Sequence, residues 1–139
     1  MVTSSLGLSS TDADTLARTI WGEARGEGYD GQVAVGSVVR NRVNAGTYGS
    51  GYAAVCKSPD QFSCWNSNDP NYAPMLAITT ADATFAQCLT IANGIIDGSI
   101  ADNTNGATNY YAASIDEPDW AYSMIETGQI GNQIFFRSA

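Results

Sequence analysis

The chain contains no histidine. That absence removes Ser-His-Asp and Cys-His nucleophilic machinery in their usual forms, and with them the catalytic zinc sites built on imidazole. Acid–base chemistry is left to Asp, Glu, Tyr, Lys and a thiol. Cations are scarce as well: six Lys and Arg stand against 14 Asp and Glu, for a net charge of −8. A nucleic-acid groove needs basic residues to replace phosphate counterions, so nucleic acid is not an expected partner. Adhesion to an anionic surface by charge alone is disfavoured on the same ground. No apolar run approaches the ~20 residues of a membrane span, so no membrane insertion is expected. The first residues, MVTSSLGLSSTDAD, have neither a basic n-region nor a continuous apolar h-region, so no signal peptide is expected.

Cysteine is limited to Cys56, Cys64 and Cys88. An odd number cannot all pair within one chain, and the spacing fits no zinc motif. Two arrangements are open: three buried thiols, or one disulfide with one free thiol. In the second, Cys56 with Cys64 is preferred because the loop between them is short and polar. No metal and no cofactor are expected.

What is present is a chain of 139 residues, 44% hydrophobic and 14% charged. This length suits one domain that buries about two-thirds of its unfolded surface. With so little charge, folding rests on apolar burial. Residues 1–9 read as a frayed end and residues 10–139 as one domain. Ser10 or Thr11 can cap a first helix with Asp12 and Asp14 in its first turn, and Leu16, Ile20 and Glu23 then share a face. RGEGYDG breaks that helix at Gly26 and Gly28, and Asp30 can cap a second, buried one over Gln32–Asn44. Residues 45–78 form a long Gly-, Ser-, Asn- and Pro-rich connection whose aromatics (Tyr48, Tyr52, Phe62, Trp65, Tyr72) argue against disorder. A third helix runs from Thr80 or Asp82 to Asp97. NGATNYYAAS and IGNQIFFR read as strands, and EPDWAYSMI between them as a short helix. The expected class is α+β, mainly helical, with a short antiparallel sheet.

Glu23 and Glu27 lie four residues apart and invite comparison with a glycosidase pair. Their Cβ atoms would be about 5–6 Å apart on a helix, near the spacing of a retaining pair. The direction is wrong, however: such a pair must flank the scissile bond, and two side chains on one helix face approach from one side. Glu23, beside Trp21, would be partly desolvated, and desolvation favours the protonated carboxyl that a general acid needs. The competing reading is a boundary glutamate paired with Arg18, Arg25 or Arg40. Glu27, between two glycines, would sit just ahead of the second helix and accept from its free backbone N–H groups.

Amides and hydroxyls interleaved with aromatics suit a sugar, and the loop KSPDQFSCWNSNDPNY has that pattern. Gln61, Phe62, Ser63 and Trp65 are its candidate substrate contacts, though Phe62 and Trp65 equally suit anchors in the core. Tyr110 and Tyr111 would point to opposite faces of a strand, so at most one faces the core while the other could face a cleft. Asp116, Glu117 and Asp119 more simply cap a short helix.

Taken together, GEARGE with GQVAVGSVV and NRV, then QFSCW, NGATNYY, WAYSM and IGNQIFFR, resemble the SleB-type cell-wall hydrolases, the spore-cortex-lytic family that also includes phage endolysins. The resemblance runs from about Ser10 to Arg137. It implies a small lysozyme-like, lytic-transglycosylase-like domain that acts, as a monomer, on peptidoglycan glycan strands between N-acetylmuramic acid and N-acetylglucosamine. It implies Glu23 as the catalytic acid/base and Glu27 as a structural member of the motif; Gln32, Asn41 and Asn132 fall in the matching segments with structural roles. Lytic transglycosylation needs one carboxylate, because the sugar's own C6 hydroxyl closes a 1,6-anhydro ring. A hydrolytic muramidase and a non-catalytic peptidoglycan-binding module stay open as alternatives. Relatives often carry His where this chain has Asn109 and Gln133, replacements that keep hydrogen bonding and lose titration near neutral pH. A catalytic domain without a leader would fit a phage endolysin, made in the host cytoplasm and acting on the wall.

Overall fold

Helix α1 (Val2–Ala24) carries Ala13, Leu16, Ala17, Ile20 and Ala24 at helical spacing, and all five are buried. In the computed structural model, residues 11–59 and 61–139 are described in full, and residues 2–10 as helix backbone only. The frayed end expected over residues 1–9 lies outside the fully described residues. At Thr11 the helix is already under way, so it does not start there.

Helix α2 (Gly28–Ala45) is the centre of the domain. Every residue from Gly31 to Val39 is buried, because α1, α5 (Ala83–Asp97) and the sheet surround it. Gly36 permits that packing: a Cβ there would lie 3.2 Å from both Ile20 of α1 and Ile95 of α5. Helix α2 ends at Gly46, whose φ of 76° is the left-handed C-cap conformation. Asp30, expected to cap α2, lies inside its first turn instead. Helix α5 begins as expected at Asp82, whose carboxylate accepts the Phe85 N–H at 2.9 Å, and it buries Phe85, Cys88, Ile91, Ala92 and Ile95.

The long connection is structured. It holds α3 (Tyr52–Lys57), a 3-10 turn (Ser63–Trp65) and α4 (Tyr72–Ala77), all packed on α1. The scarce cations act as internal ties. Arg18 donates to the carbonyls of Met75 (2.7 Å) and Ile78 (3.0 Å) at the end of α4. Arg40 donates to Ile95 and Ile100 at the end of α5, so both arginines satisfy orphan helix-end carbonyls.

Strands β1 (Asn109–Ala112), β2 (Ile125–Ile130) and β3 (Gln133–Arg137) form one antiparallel sheet in the order β1-β3-β2. Tyr110 pairs with Phe135 and Tyr111 with Ile134, which puts the two tyrosines on opposite faces. Phe135 joins Ala34, Val38 and Ala107 in a small core between sheet and α2, with Tyr110 packed on its edge. The expectation named two strands; β2 is the third. Its register is interrupted between Glu126 and Gly128, which breaks the alternation that marks a strand in sequence. The segment before it is a 3-10 turn (Asp119–Ser123) in place of a short α-helix. All three cysteines are free and buried, so the Cys56–Cys64 bridge is not formed. The architecture is thus the mainly helical α+β class with a short antiparallel sheet.

Candidate active site

Glu23 occupies the last turn of α1 and is half-buried. None of the arginines that could have paired with it does so. Arg18 bonds Asp14, Arg25 lies over the Trp21 ring and donates to Asn71, and Arg40 serves α5. The carboxylate is held by neutral donors. Tyr110 donates its hydroxyl to Oε1 at 2.8 Å, and the Cys64 backbone N–H donates to Oε2 at 3.3 Å.

Three elements must meet for this to happen. The first is the end of α1. The second is the 3-10 turn, which comes close enough because Gly22 has no side chain: a Cβ there would lie 2.7 Å from Cys64 Cβ and 2.9 Å from its Sγ. The third is β1, whose Tyr110 reaches across from the sheet with its ring 5.4 Å from that of Phe135. Burial of the hydroxyl end, and then the Glu23 carboxylate beside it, push the Tyr110 phenol well above its ordinary value. It therefore stays protonated and acts as a donor. Burial and the same carboxylate also raise the Cys64 thiol.

Arg42 completes the cluster and was not singled out from sequence. It is the one buried charged side chain among the described residues. Its Nε donates to the Thr108 carbonyl at 2.6 Å and its Nη1 to Gln61 Oε1 at 2.6 Å, with the guanidinium over the Tyr48 and Phe62 rings. Burial lowers its pKa, and the nearby Tyr48, Tyr110 and Glu23 offset that effect. Its sequence signal was weak, since a cation near a helix C-terminus is usually a solvated one.

The expected sugar contacts separate. Ser63 is exposed beside Cys64. Gln61 is partly buried and occupied by Arg42. Trp65 keeps some exposure but donates its indole N–H to Thr19 Oγ1 at 2.9 Å, with Lys57 over its ring. Phe62 is 3% exposed and belongs to the core, which removes it as a contact surface. Tyr111 is on the sheet face away from Glu23, stacked on Phe136 and met edge-on by Trp120, so it too leaves the candidate site.

Of the motif residues, Glu27 does not accept from the start of α2. Its Oε1 accepts the Asn132 backbone N–H at 2.9 Å, in the turn between β2 and β3. Gln32 is buried between the Arg25 carbonyl and the Gln87 amide. Asn41 donates to Asp102 and to the Ala107 carbonyl, fixing the approach to β1. Among the described residues no group of acidic or thiol side chains is arranged to hold a metal ion.

Fold and site together define a small helical domain whose candidate site is built on one half-buried carboxylate, Glu23, held by neutral donors, an arrangement suited to giving and taking one proton. The chain belongs to the cell wall hydrolase family, whose model matches residues 26–136. It is 30% identical over 129 residues to a spore cortex-lytic enzyme of Halalkalibacterium halodurans, covering 93% of this chain and 36% of that protein. A spore cortex-lytic enzyme of Oceanobacillus iheyensis is 29% identical over 133 residues, covering 93% of this chain and 42% of that protein. The chain thus spans less than half the length of these curated relatives. Its structure is similar to the catalytic domain of the Bacillus cereus SleB protein, with a TM-score of 0.70, 26% identity, and 92% and 91% of the two chains covered. It is equally similar to the catalytic domain of a germination-specific lytic transglycosylase, SleB from Bacillus anthracis, with a TM-score of 0.71, 27% identity, and 91% and 93% covered.

Proposed function

We propose that this domain cleaves peptidoglycan glycan strands as a lytic transglycosylase, with Glu23 as its single acid/base. The observation that carries the reading is the isolation of Glu23: its carboxylate is bonded to a phenol and a backbone amide, while Glu27 is engaged with the β2–β3 turn. In the first step the protonated Glu23 gives its proton to the glycosidic oxygen as the C1–O bond breaks through an oxocarbenium-like transition state. The carboxylate so formed then takes the proton of the sugar's C6 hydroxyl, whose oxygen bonds to C1 and closes the 1,6-anhydro ring. Both steps use one group, first as acid and then as base. Of the candidate contacts in the loop, Ser63 is the exposed one, beside Cys64, and it is free to meet the glycan.

Digestion of purified peptidoglycan followed by mass spectrometry tests this. Anhydromuramyl ends from the wild type, and no release by Glu23→Gln, are expected. Reducing ends heavier by one water would replace the reading with a hydrolytic muramidase, and binding without release would make the domain a non-catalytic module. An endolysin role belongs to the same proposal. Three free, buried thiols suit a protein that folds in a reducing compartment before it meets the wall. Cytoplasmic expression in a bacterium should then cause lysis only when a holin is induced.

A further inference from the structure

We propose that Tyr110 and Arg42 form a positioning pair that sets the proton affinity of Glu23 and stabilises its carboxylate at the moment the proton leaves. This deepens the acid/base reading of Glu23 and rests on it. Tyr110 reaches Glu23 Oε1 at 2.8 Å, and this is the shorter of the two bonds the carboxylate accepts. Its ring packs on Phe135 while its hydroxyl reaches the carboxylate. Among the described residues no carboxylate is hydrogen-bonded to the buried Arg42: its donors go to the Thr108 carbonyl and the Gln61 amide oxygen. A buried cation without a counterion is costly. Among the described residues, Glu23 is the carboxylate whose charge acts on it, beside the Tyr48 and Tyr110 phenols and the Cys56 thiol.

The arrangement has a direction. When Glu23 releases its proton to the glycosidic oxygen, the new negative charge meets a waiting O–H and the favourable field of the buried guanidinium. Groups fixed in advance toward a charge that develops in the transition state lower the barrier, because they need no reorganisation. In the second step the same groups weaken the basicity of Glu23 only to the extent that they stabilise it, and Tyr110 keeps its own proton throughout. Arg42 also holds Thr108, two residues before Tyr110, and Gln61, three before Cys64. One side chain therefore fixes both segments that donate to Glu23.

Steady-state kinetics on soluble, uncross-linked glycan strands as a function of pH test the assignment. Tyr110→Phe keeps the ring and removes the hydroxyl. The expected result is a kcat lower by about 10- to 100-fold with KM within about twofold. The alkaline limb of the kcat profile should also move to higher pH, since a carboxyl that loses a donor holds its proton longer. Arg42→Gln should move the limb in the same direction, and Arg42→Lys should return it toward wild type. Circular dichroism and a thermal melt establish that each variant is folded; should Arg42→Gln fail to fold, Tyr110→Phe decides alone. A Tyr110→Phe profile superimposed on wild type, or a loss of kcat with an unmoved limb, would overturn the proposal. Should Glu23→Gln remain active, the acid/base reading itself falls. Should Glu23→Gln be inactive while Tyr110→Phe matches wild type, only the positioning pair falls.

Discussion

Glu27 and Asn132 are joined across 105 residues of sequence, the Glu27 carboxylate accepting the Asn132 backbone N–H at 2.9 Å. This bond pins the β2–β3 turn to the junction of α1 and α2. Gly131 makes room for it: its φ is +58°, and a Cβ there would lie 2.6 Å from Glu27 Oε1. The second glutamate of the GEARGE stretch is therefore a clasp for the sheet that carries Tyr110.

Glu27→Gln should cost stability and spare the chemistry. It exchanges a charge-assisted bond for a neutral one, a loss of about 1–2 kcal/mol. Gly131→Ala should cost more, since it adds left-handed strain to the contact. Urea denaturation of both variants checks the order, and the specific activity of the folded protein at low temperature should stay within about twofold of wild type. A Glu27→Gln protein of wild-type stability that has lost activity would move Glu27 into the chemistry.

Gly22→Ala should separate Glu23 from the Cys64 amide. The added methyl group meets Cys64 Cβ and Sγ, and neither belongs to a flexible chain end, so the 3-10 turn must shift. Overpacking of this kind costs about 1–3 kcal/mol. Activity should fall by more than the stability loss explains. Gly22→Ala combined with Cys64→Gly adds a methyl group on one side of the contact and removes the Cβ and Sγ it would meet on the other, and should recover part of both losses. Thermal melts and lysis rates on the two singles and the double give the coupling.

The thiols should be silent in the folded protein. Burial pushes Cys56 and Cys88 up to about 12 and raises Cys64 as well. Iodoacetamide at pH 8 is expected to leave the native protein unlabelled and to modify all three cysteines after unfolding in urea. The sign of the pH dependence follows. A thiol whose folded pKa lies above its unfolded one contributes stability that is complete below about pH 8.5, its ordinary value, and that is lost as the pH rises toward the folded pKa near 12. Urea midpoints should therefore fall between pH 8 and 11, and less steeply in Cys88→Ala.

Much of the fold was legible along the chain. Helix α5 announced itself by the Asp82 cap and by apolar residues at helical spacing, both local features. Helix α2 was legible as buried because it has apolar residues all round. Strand β2 was not, since IETGQI is a half-exposed edge with an irregular register, held as a strand by its pairing with β3. The loop aromatics were ambiguous for a physical reason. A ring that closes a core and a ring that offers a sugar platform have the same composition around them, and only the exposure of Phe62 separates the two.

The class, the absence of imidazole chemistry, the end of α1 as the place of Glu23 and the geometric argument against pairing it with Glu27 all follow from the order of residues alone. These are matters of residue type and helical period, which act over a few residues. Tertiary structure decided what surrounds Glu23: a phenol 87 residues away, an amide 41 residues away, and a buried guanidinium that fixes both segments. Those partners come from a strand and a loop with no local signal for where they land. Their positions follow from the packing of the sheet on α2 and from the missing side chain at Gly22, which lets the loop close on the helix.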